Sequence, residues 1–310
     1  MTRLTATSML LAVLITGIPA QEPGAPSRQR LLEIDAIPLD RNGNVLTDLK
    51  RDEVEVWVEH YRIPIETFIA IAPDDERAKR SVALLLDDLT SNPASVPRIR
   101  DVARRFVNKL GPGDQMAIIG LYGASSRSTD DRAILLKSID GYNVGAAPPL
   151  RPDDMSAHVL TTLTSIARQL AEAPARRRTI VAIGTGWLFD TPIPPPSVGR
   201  DMRKEWTEAV RALALSNVTL YVIDPGGVGT SRVSGGDNGF AGETGGYSFT
   251  NTNDMERAVE RIMRETVSYY ILRIADPTIF RSAPLRELEV RIRRRGTVIR
   301  AARYLPGRGQ

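Results

Sequence analysis

An unbroken apolar run, VALLL at 82–86, is followed at once by the acidic pair Asp87-Asp88. Apolar residues without alternation are typical of a β-strand that is buried on both faces. A segment with apolar residues at helical spacing follows at 99–110, and Gly111-Pro112-Gly113 ends it. A buried strand followed by an amphipathic helix is the repeating unit of a sheet with helices packed on its faces.

The same alternation of strand and helix continues along the chain. Further buried strands are predicted at 116–121, 180–183 and 218–223, and further helices at 132–139, 159–170, 202–213 and 255–267. We therefore predict an α/β domain over 79–268, with a doubly wound, mostly parallel sheet of the Rossmann type.

Both flanks of this domain carry a different pattern, in which apolar and polar residues alternate. Over 31–75 the alternation is clearest at 54–59, and Asn42-Gly43 is a tight-turn dipeptide. Over 269–305, strands are predicted at 269–274, 288–293 and 298–304, with the last two joined as a hairpin across Arg295-Gly296. Because each set alone is a marginal sheet, we predict that both form one small antiparallel β-sandwich, into which the α/β domain is inserted.

The first twenty residues have the features of a secretory signal peptide: Arg3, an apolar stretch at 9–15 and small residues at 17–20. We predict cleavage after Ala20, a linker over 21–30, and a mature protein that is secreted or periplasmic. A buried N-terminal helix is the alternative. The apolar stretch is too short to cross a bilayer of roughly 30 Å, and no later segment is long enough, so no transmembrane segment is predicted.

The composition excludes several classes of function. The chain of 310 residues has no cysteine, which rules out disulfide scaffolds, thiolate metal sites and cysteine nucleophiles. Its only histidines, His60 and His158, are far apart in sequence and offer little material for a Ser-His-Asp site. A net charge of +4 is too small to indicate nucleic-acid binding. Since no pair of nucleophile and base can be assembled, we expect a protein that is not an enzyme.

The residues that follow the buried strands are the candidates for a site, because ligands of open parallel sheets bind beyond the carboxyl ends of the strands. The first such segment holds Asp87, Asp88, Thr90 and Ser91. The others are Tyr122-Gly123, Gly184-Thr185-Gly186 and Asp224-Pro225-Gly226-Gly227. Carboxylate and hydroxyl oxygens in such a place are suited to a hard cation such as Mg²⁺.

The chain resembles the bacterial family of von Willebrand factor A-related proteins over residues 31–304. The resemblance is carried by the acidic end of the first buried strand, by DRNGNVLTDL at 40–49, by Thr244-Gly245-Gly246 and by Tyr269-Tyr270. It implies a von Willebrand factor A-like fold flanked by β-strands, and a function in protein interaction or adhesion outside the cytoplasm.

The chain departs from the family at the metal-ion-dependent adhesion motif, Asp-x-Ser-x-Ser. Asp87 and Ser91 match that motif, but Leu89 replaces its middle serine. The family's distant threonine is matched weakly by Ser156, and its second aspartate falls at Thr185. The resemblance therefore implies a degenerate adhesion site that needs no metal or other cofactor. Mg²⁺ held by Asp87 and Ser91 remains the alternative.

The sequence leaves the partner open. An unidentified extracytoplasmic protein is the first expectation. The alternative is an envelope component that binds an anionic surface polymer through the arginines of the C-terminal hairpin, which are Arg291, Arg293, Arg294, Arg295, Arg300 and Arg303. The proline-rich loop at 190–198 is a further candidate for partner contact. The glycine-rich segment from 226 to 246 lacks the spacing of a dinucleotide-binding loop, and we predict a flexible surface loop there.

Overall fold

The computed structural model describes residues 30–123, 125–145, 150–185, 201–229, 235–237, 239–277 and 283–307. The predicted signal peptide, the linker up to residue 29 and the proline-rich loop at 190–198 lie outside these residues. Within them, no helix is both long and apolar enough to cross a membrane.

The structure consists of thirteen strands and six helices in these ranges. The strands are β1 Leu31–Leu39, β2 Val54–Val58, β3 Tyr61–Ile63, β4 Ile65–Ile71, β5 Arg80–Leu86, β6 Gln115–Gly120, β7 Arg177–Ile183, β8 Val218–Ile223, β9 Ser248–Phe249, β10 Tyr269–Ala275, β11 Leu285–Ile292, β12 Val298–Arg300 and β13 Tyr304–Pro306. The helices are α1 Val96–Asn108, α2 Arg132–Gly141, α3 Pro152–Ala171, α4 Arg203–Leu215, α5 Phe240–Glu243 and α6 Met255–Val267.

The central sheet is parallel and has the order β6-β5-β7-β8-β9. Strand β5, which contains the VALLL run, is buried throughout and lies between β6 and β7. The helices α1, α2 and α6 pack on one face of the sheet, and α3, α4 and α5 pack on the other. The predicted doubly wound α/β fold is confirmed, and the chain reverses its winding direction at β5, where such folds open a crevice.

Two four-stranded antiparallel sheets hold the flanking segments, in the orders β12-β1-β10-β4 and β13-β11-β2-β3. Strand β1 pairs with β10 from Leu31↔Ala275 to Ala36↔Tyr270, which joins the N-terminal and C-terminal segments directly. The inner faces of both sheets contribute to one apolar cluster that includes Ile34 and Val56. The expected sandwich built from both flanks is therefore present.

The predicted strand at 298–304 is wrong in detail, because the chain changes sheets within it. β12 pairs with β1, whereas β13 pairs with β11. Between them, Ala302 forms a bridge with Thr244, and the Arg303 N–H donates to the carbonyl of Glu243. Residues 288–293 and 298–304 therefore do not form the simple hairpin that was predicted. Alternation of apolar and polar residues indicates which face of a sheet each side chain occupies, but it does not identify the neighbouring strand.

The segment before β9 is more ordered than the predicted flexible loop. Phe240, Ala241 and Gly242 of the short helix α5 are buried. The Leu220 N–H donates to Thr244 Oγ1 at 2.8 Å, and a Cβ at Gly246 would lie 1.7 Å from the Leu220 carbonyl oxygen. Thr244 and Gly246 of the Thr-Gly-Gly element therefore hold this segment close to β8.

The motif at 40–49 also has a structural role. The Asp40 carboxylate accepts the N–H groups of Asn42 and Asn44, each at 2.8 Å, and these hydrogen bonds lower the pKa of Asp40. At its other end, the Leu49 N–H donates to the Tyr270 phenol oxygen at 3.0 Å. The hydrogen bond joins two separate parts of the family resemblance, the 40–49 segment and the Tyr-Tyr strand.

Buried ion pairs connect the sandwich to the parallel sheet. Arg177, at the start of β7, is fully buried; its Nη1 lies 2.9 Å from Asp35 Oδ2, and its guanidinium stacks on the Tyr269 ring. Arg300 of β12 pairs with Glu265 of α6, and both are buried. Each pair has one partner in each part of the fold, so removal of the buried carboxylate leaves the buried guanidinium without its acidic partner.

Candidate functional site

The loop after β5 is organised around the buried carboxylate of Asp87. Its oxygens accept the N–H groups of Leu89 and Thr90 at 3.2 and 2.7 Å. They also accept the hydroxyl groups of Thr90 and Ser91. Burial raises the pKa of Asp87, and the hydrogen bonds from Thr90 and Ser91 oppose that rise. The loop therefore satisfies this carboxylate with its own donors.

The Asp88 side chain does not join that cluster. It holds the loop that follows β6. Its carboxylate accepts the N–H groups of Tyr122 and Gly123 at 2.8 and 2.7 Å, just after β6 ends. A Cβ at Gly123 would lie 2.6 Å from Asp88 Oδ2, so the close approach requires a glycine. Asp88 is thus a positioning residue for the Tyr122 loop.

The end of β7 meets the Asp87 cluster through its backbone. The Thr185 N–H donates to Ser91 Oγ at 3.1 Å. A Cβ at Gly184 would lie 2.3 Å from the Asp87 Cβ, which places the two strand ends in direct contact. The structure therefore brings Asp87, Thr90, Ser91 and Thr185 together, as the sequence predicted for strand ends at one edge of a sheet.

Ser156 lies on a separate element, α3. Two residues further on, His158 Nε2 contacts the carbonyl oxygen of Leu121 at 2.6 Å, and its ring lies near that of Tyr122. This position couples α3 to the loop after β6. The hydrogen-bond partner of His158 is therefore a backbone carbonyl and not a nucleophilic side chain.

Sequence reasoning missed one residue of this cluster. Tyr142, just after α2, donates its phenol O–H to the backbone carbonyl of Asp87 at 2.6 Å. Burial, together with the charges of Asp87 and Asp88, raises the pKa of this phenol. Fifty-five residues separate the two partners, and no local pattern in the sequence connects them.

Side chains that lie outside the strands of the parallel sheet hold the loop after β8 in place. The buried Asp224 carboxylate accepts the Gly226 N–H at 2.8 Å, and Arg98 Nη1 donates to the Gly226 carbonyl at 2.7 Å. The Val228 and Gly229 N–H groups donate to the side-chain oxygens of Asn253 and Asn251. The glycine-rich segment thus forms, over 224–229, a turn that is held by hydrogen bonds.

Two exposed apolar side chains flank the buried Asp87 cluster at this edge of the sheet. Tyr122, after β6, is 46% exposed, and Val228, after β8, is 61% exposed. Both stand on loops that the hydrogen bonds above hold in place. Exposed apolar side chains anchor a protein partner where they belong to one contiguous patch.

The residues present are a poor donor set for Mg²⁺, the ion that an intact metal-ion-dependent adhesion motif would hold. The hydroxyl groups of Thr90 and Ser91 donate to Asp87, and Leu89 packs against the apolar core. Thr185 supplies no carboxylate where the family has one. In the described part of the chain, no group of three or more acidic, histidine or cysteine side chains could hold a metal ion. The donors therefore do not fit Mg²⁺, which depends on charged oxygen ligands.

Most arginines of the C-terminal segment form ion pairs with carboxylates of the same chain. Arg291 pairs with Glu289 and stacks on Trp57. The remaining pairs are Arg293 with Glu55, Arg294 with Glu53 and Asp48, Arg300 with Glu265, and Arg303 with Glu243. The Arg294 guanidinium lowers the pKa of Glu53 to about 2. Five of the six arginines that suggested a polymer-binding surface thus face carboxylates of the same chain.

Comparisons with known proteins give similarity of fold only. No family model and no curated protein match the chain. A solved aerotolerance-related membrane protein from Bacteroides fragilis NCTC 9343 is 15% identical with a TM-score of 0.40, over 60% of this chain and 98% of that chain. Manganese-loaded TRAP from Plasmodium vivax is 12% identical with a TM-score of 0.40, over 79% and 98%. The D319A mutant of the PilB minor pilin from Streptococcus sanguinis is 10% identical with a TM-score of 0.38, over 61% and 62%. Similarities of this size carry no information on function.

The strand order, the helices on both faces and the acidic loop after β5 define the class of fold. It is a von Willebrand factor A-like α/β domain of the Rossmann type, carried by two antiparallel sheets.

Proposed function

We propose that the protein is an exported protein-interaction module that binds another extracytoplasmic protein through the carboxyl edge of its parallel sheet, without a metal ion. The observation that carries the proposal is the pair of exposed side chains, Tyr122 and Val228, on fixed loops at that edge. The predicted signal peptide is the basis for placing the interaction outside the cytoplasm.

The fixed loops favour binding because they are ordered before the partner arrives. Asp88 holds the backbone at Tyr122, and Asn253 holds the backbone at Val228. Ordering a mobile side chain or loop on binding costs about 0.5–1.5 kcal/mol for each side chain immobilised. A preformed surface avoids part of that cost.

The hydrogen bonding of the acidic groups supports a binding role over a catalytic one. Asp87 accepts four donors from its own loop, and His158 Nε2 is engaged by the Leu121 carbonyl. A general base needs to reach a proton on a substrate or nucleophile. Both groups are instead engaged within the chain, which supports the proposed binding role.

Replacing the two exposed side chains is expected to weaken partner binding at least about tenfold, since apolar anchors carry much of the energy of an interface. The wild type and the double variant Tyr122→Ser, Val228→Ser are each used to capture proteins from the envelope of the native host. The captured protein is then titrated against both. Leu215→Ser is the matched control, because Leu215 is 50% exposed but lies at the end of α4, next to the start of β8.

Equal capture by the double variant and the wild type would place the interaction elsewhere. Loss of all binding on adding salt would instead support the alternative of an anionic polymer, since salt screens exposed charges.

Millimolar Mg²⁺ or Mn²⁺ is expected to leave the melting temperature unchanged, because a ligand stabilises only above its dissociation constant. Restoring the missing oxygens with the double variant Leu89→Ser, Thr185→Asp is expected to create a measurable rise with Mg²⁺. The control is the same variant with Asp87→Ala added. A clear metal-induced rise in the wild type that Asp87→Ala abolishes would show that binding depends on a metal.

A further inference from the structure

A pocket of about 350 Å³ lies beside β9 and the first half of α6. Its lining combines two aromatic rings, two arginines of α6 and hydroxyl groups of the segment between β9 and α6. Neither Tyr122 nor Val228 lines it, so this pocket is separate from the surface proposed above. Pockets that hold small molecules have volumes of about 300–1,000 Å³, and this pocket lies at the lower end of that range.

Arg261 is held in a fixed position at this pocket. Its guanidinium carbon lies 4.5 Å from the centre of the Tyr247 ring, and a Cβ built at Gly43 would lie 3.5 Å from the same carbon. The Arg261 Nε donates to Glu265 at 2.9 Å. Within the described residues, no hydrogen bond uses its Nη1 or Nη2. A guanidinium that is already ordered loses less entropy when it binds an anion.

The charged side chains around the pocket carry a positive surplus. Glu265 is fully buried and pairs with both Arg261 and Arg300, so two guanidinium groups share one carboxylate. Arg257 also lines the pocket, is exposed, and has no ion pair within the described part of the chain. Asp254 lines the pocket as well and accepts the Arg257 N–H at 2.9 Å. Together, these three arginines and two carboxylates have a net charge of +1.

The remaining lining is suited to the uncharged part of a small organic molecule. The ring centres of Tyr247 and Phe249 lie 4.9 Å apart, and Ala258 of α6 adds an apolar contact. Thr250 and Thr252 add hydroxyl groups. A lining of aromatic and apolar groups with a few polar groups at fixed positions is typical of a site for a small organic ligand.

We propose that this pocket binds a small organic carboxylate. The carboxylate group pairs with Arg257 and Arg261, and the apolar part of the ligand lies against Tyr247 and Phe249. The planar guanidinium group matches a carboxylate through two parallel hydrogen bonds. One negative charge balances the surplus of +1, whereas the charge of a phosphate monoester, roughly −1.5 to −2 at pH 7, would exceed it.

Benzoate is the probe for this proposal, because it joins a carboxylate to an apolar ring. Benzamide is the control, since it has nearly the same shape without the charge. By isothermal titration calorimetry, we expect benzoate to bind the full chain with a dissociation constant on the order of 1 mM or below, and benzamide to bind at least about tenfold more weakly. Sodium chloride keeps the ionic strength equal in all titrations, because salt screens exposed charges. The experiment needs no partner protein, so its outcome is independent of the proposed function.

Three arginine variants test whether benzoate binds in this pocket. Arg257→Gln and Arg261→Gln are each expected to weaken benzoate binding at least about tenfold, because each removes a charged hydrogen-bond donor. Arg264→Gln is the matched control. Arg264 is an exposed arginine of the same helix that does not line the pocket, so its replacement removes the same charge and is expected to change the affinity less than about twofold. The melting temperatures without benzoate show whether each variant is folded.

Three results would overturn the proposal. The first is no binding of benzoate to the wild type at about 20 mM. The second is equal affinity for benzoate and benzamide, or equal affinity of Arg257→Gln and Arg264→Gln for benzoate, because the charge of the pocket would then play no part. The third is tighter binding of inorganic phosphate than of benzoate, since the pocket would then be a site for a dianion.

Discussion

Asp35→Asn is expected to lower the free energy of unfolding by about 3–5 kcal/mol, because it leaves the buried charge of Arg177 without a partner. Asp35 is itself buried and lies 2.7 Å from Arg176 Nη2 as well as 2.9 Å from Arg177 Nη1. The Asn217 amide also donates to it, at 3.1 Å. The amide of asparagine keeps the size of the side chain but removes its charge, so the loss reports the ion pair itself.

The measurement is urea unfolding followed by circular dichroism, with Glu33→Gln as the control. Glu33 lies on the same strand and also pairs with Arg176, but its side chain is partly exposed. Pairs in that setting contribute about 0–1 kcal/mol, so a small loss is expected for the control. Equal losses for the two variants would mean that water compensates the charge of Arg177.

Gly246→Ala is expected to destabilise the protein by about 3 kcal/mol or more, at the upper end of what overpacking costs. The new Cβ would lie 1.7 Å from the Leu220 carbonyl oxygen and 2.7 Å from the Leu220 carbonyl carbon. Both are backbone atoms of β8, a fully buried strand, and neither can move aside as a flexible side chain would.

Gly141→Ala provides the control for this variant. Gly141 is the last residue of α2, and nothing lies within 4 Å of a Cβ built there. Alanine in a helix is favoured over glycine by roughly 0.5–1 kcal/mol, so the control is expected to be neutral or stabilising. A Gly246→Ala protein that melts at the wild-type temperature would show that the close approach to β8 is not required.

The regular part of the fold could be predicted because burial imposes a period on the sequence. The run at 82–86 and the stripe at 99–110 correspond to β5 and α1, and Asp131 accepts the first N–H groups of α2 as a cap. The change of sheet between β12 and β13 could not be predicted. At this change of sheet, the backbone of Ala301 and Ala302 packs against Gly245, a contact between distant parts of the chain.

For the candidate site, the meeting of the strand ends could be predicted, but the individual contacts of the side chains could not. Strand ends in a parallel sheet meet at one edge, so Asp87, Ser91 and Thr185 were expected to be close, and they are. The sequence could not show that Asp88 binds a different loop, or that Tyr122 and Val228 remain exposed. Those outcomes depend on which backbone groups are left without partners when the loops pack.

The pairing of β1 with β10 also determines the order in which the chain can fold. Glu33 and Arg273 face each other across that pair, with a separation of 240 residues in sequence. During synthesis, β1 to β4 are made first. Their partner strands in the C-terminal segment are made only after most of the chain. The parallel sheet has all its strands by Phe249 and is able to form earlier. Closing so long a loop is slow, so we expect the sandwich to assemble last, around an inserted domain that is already folded.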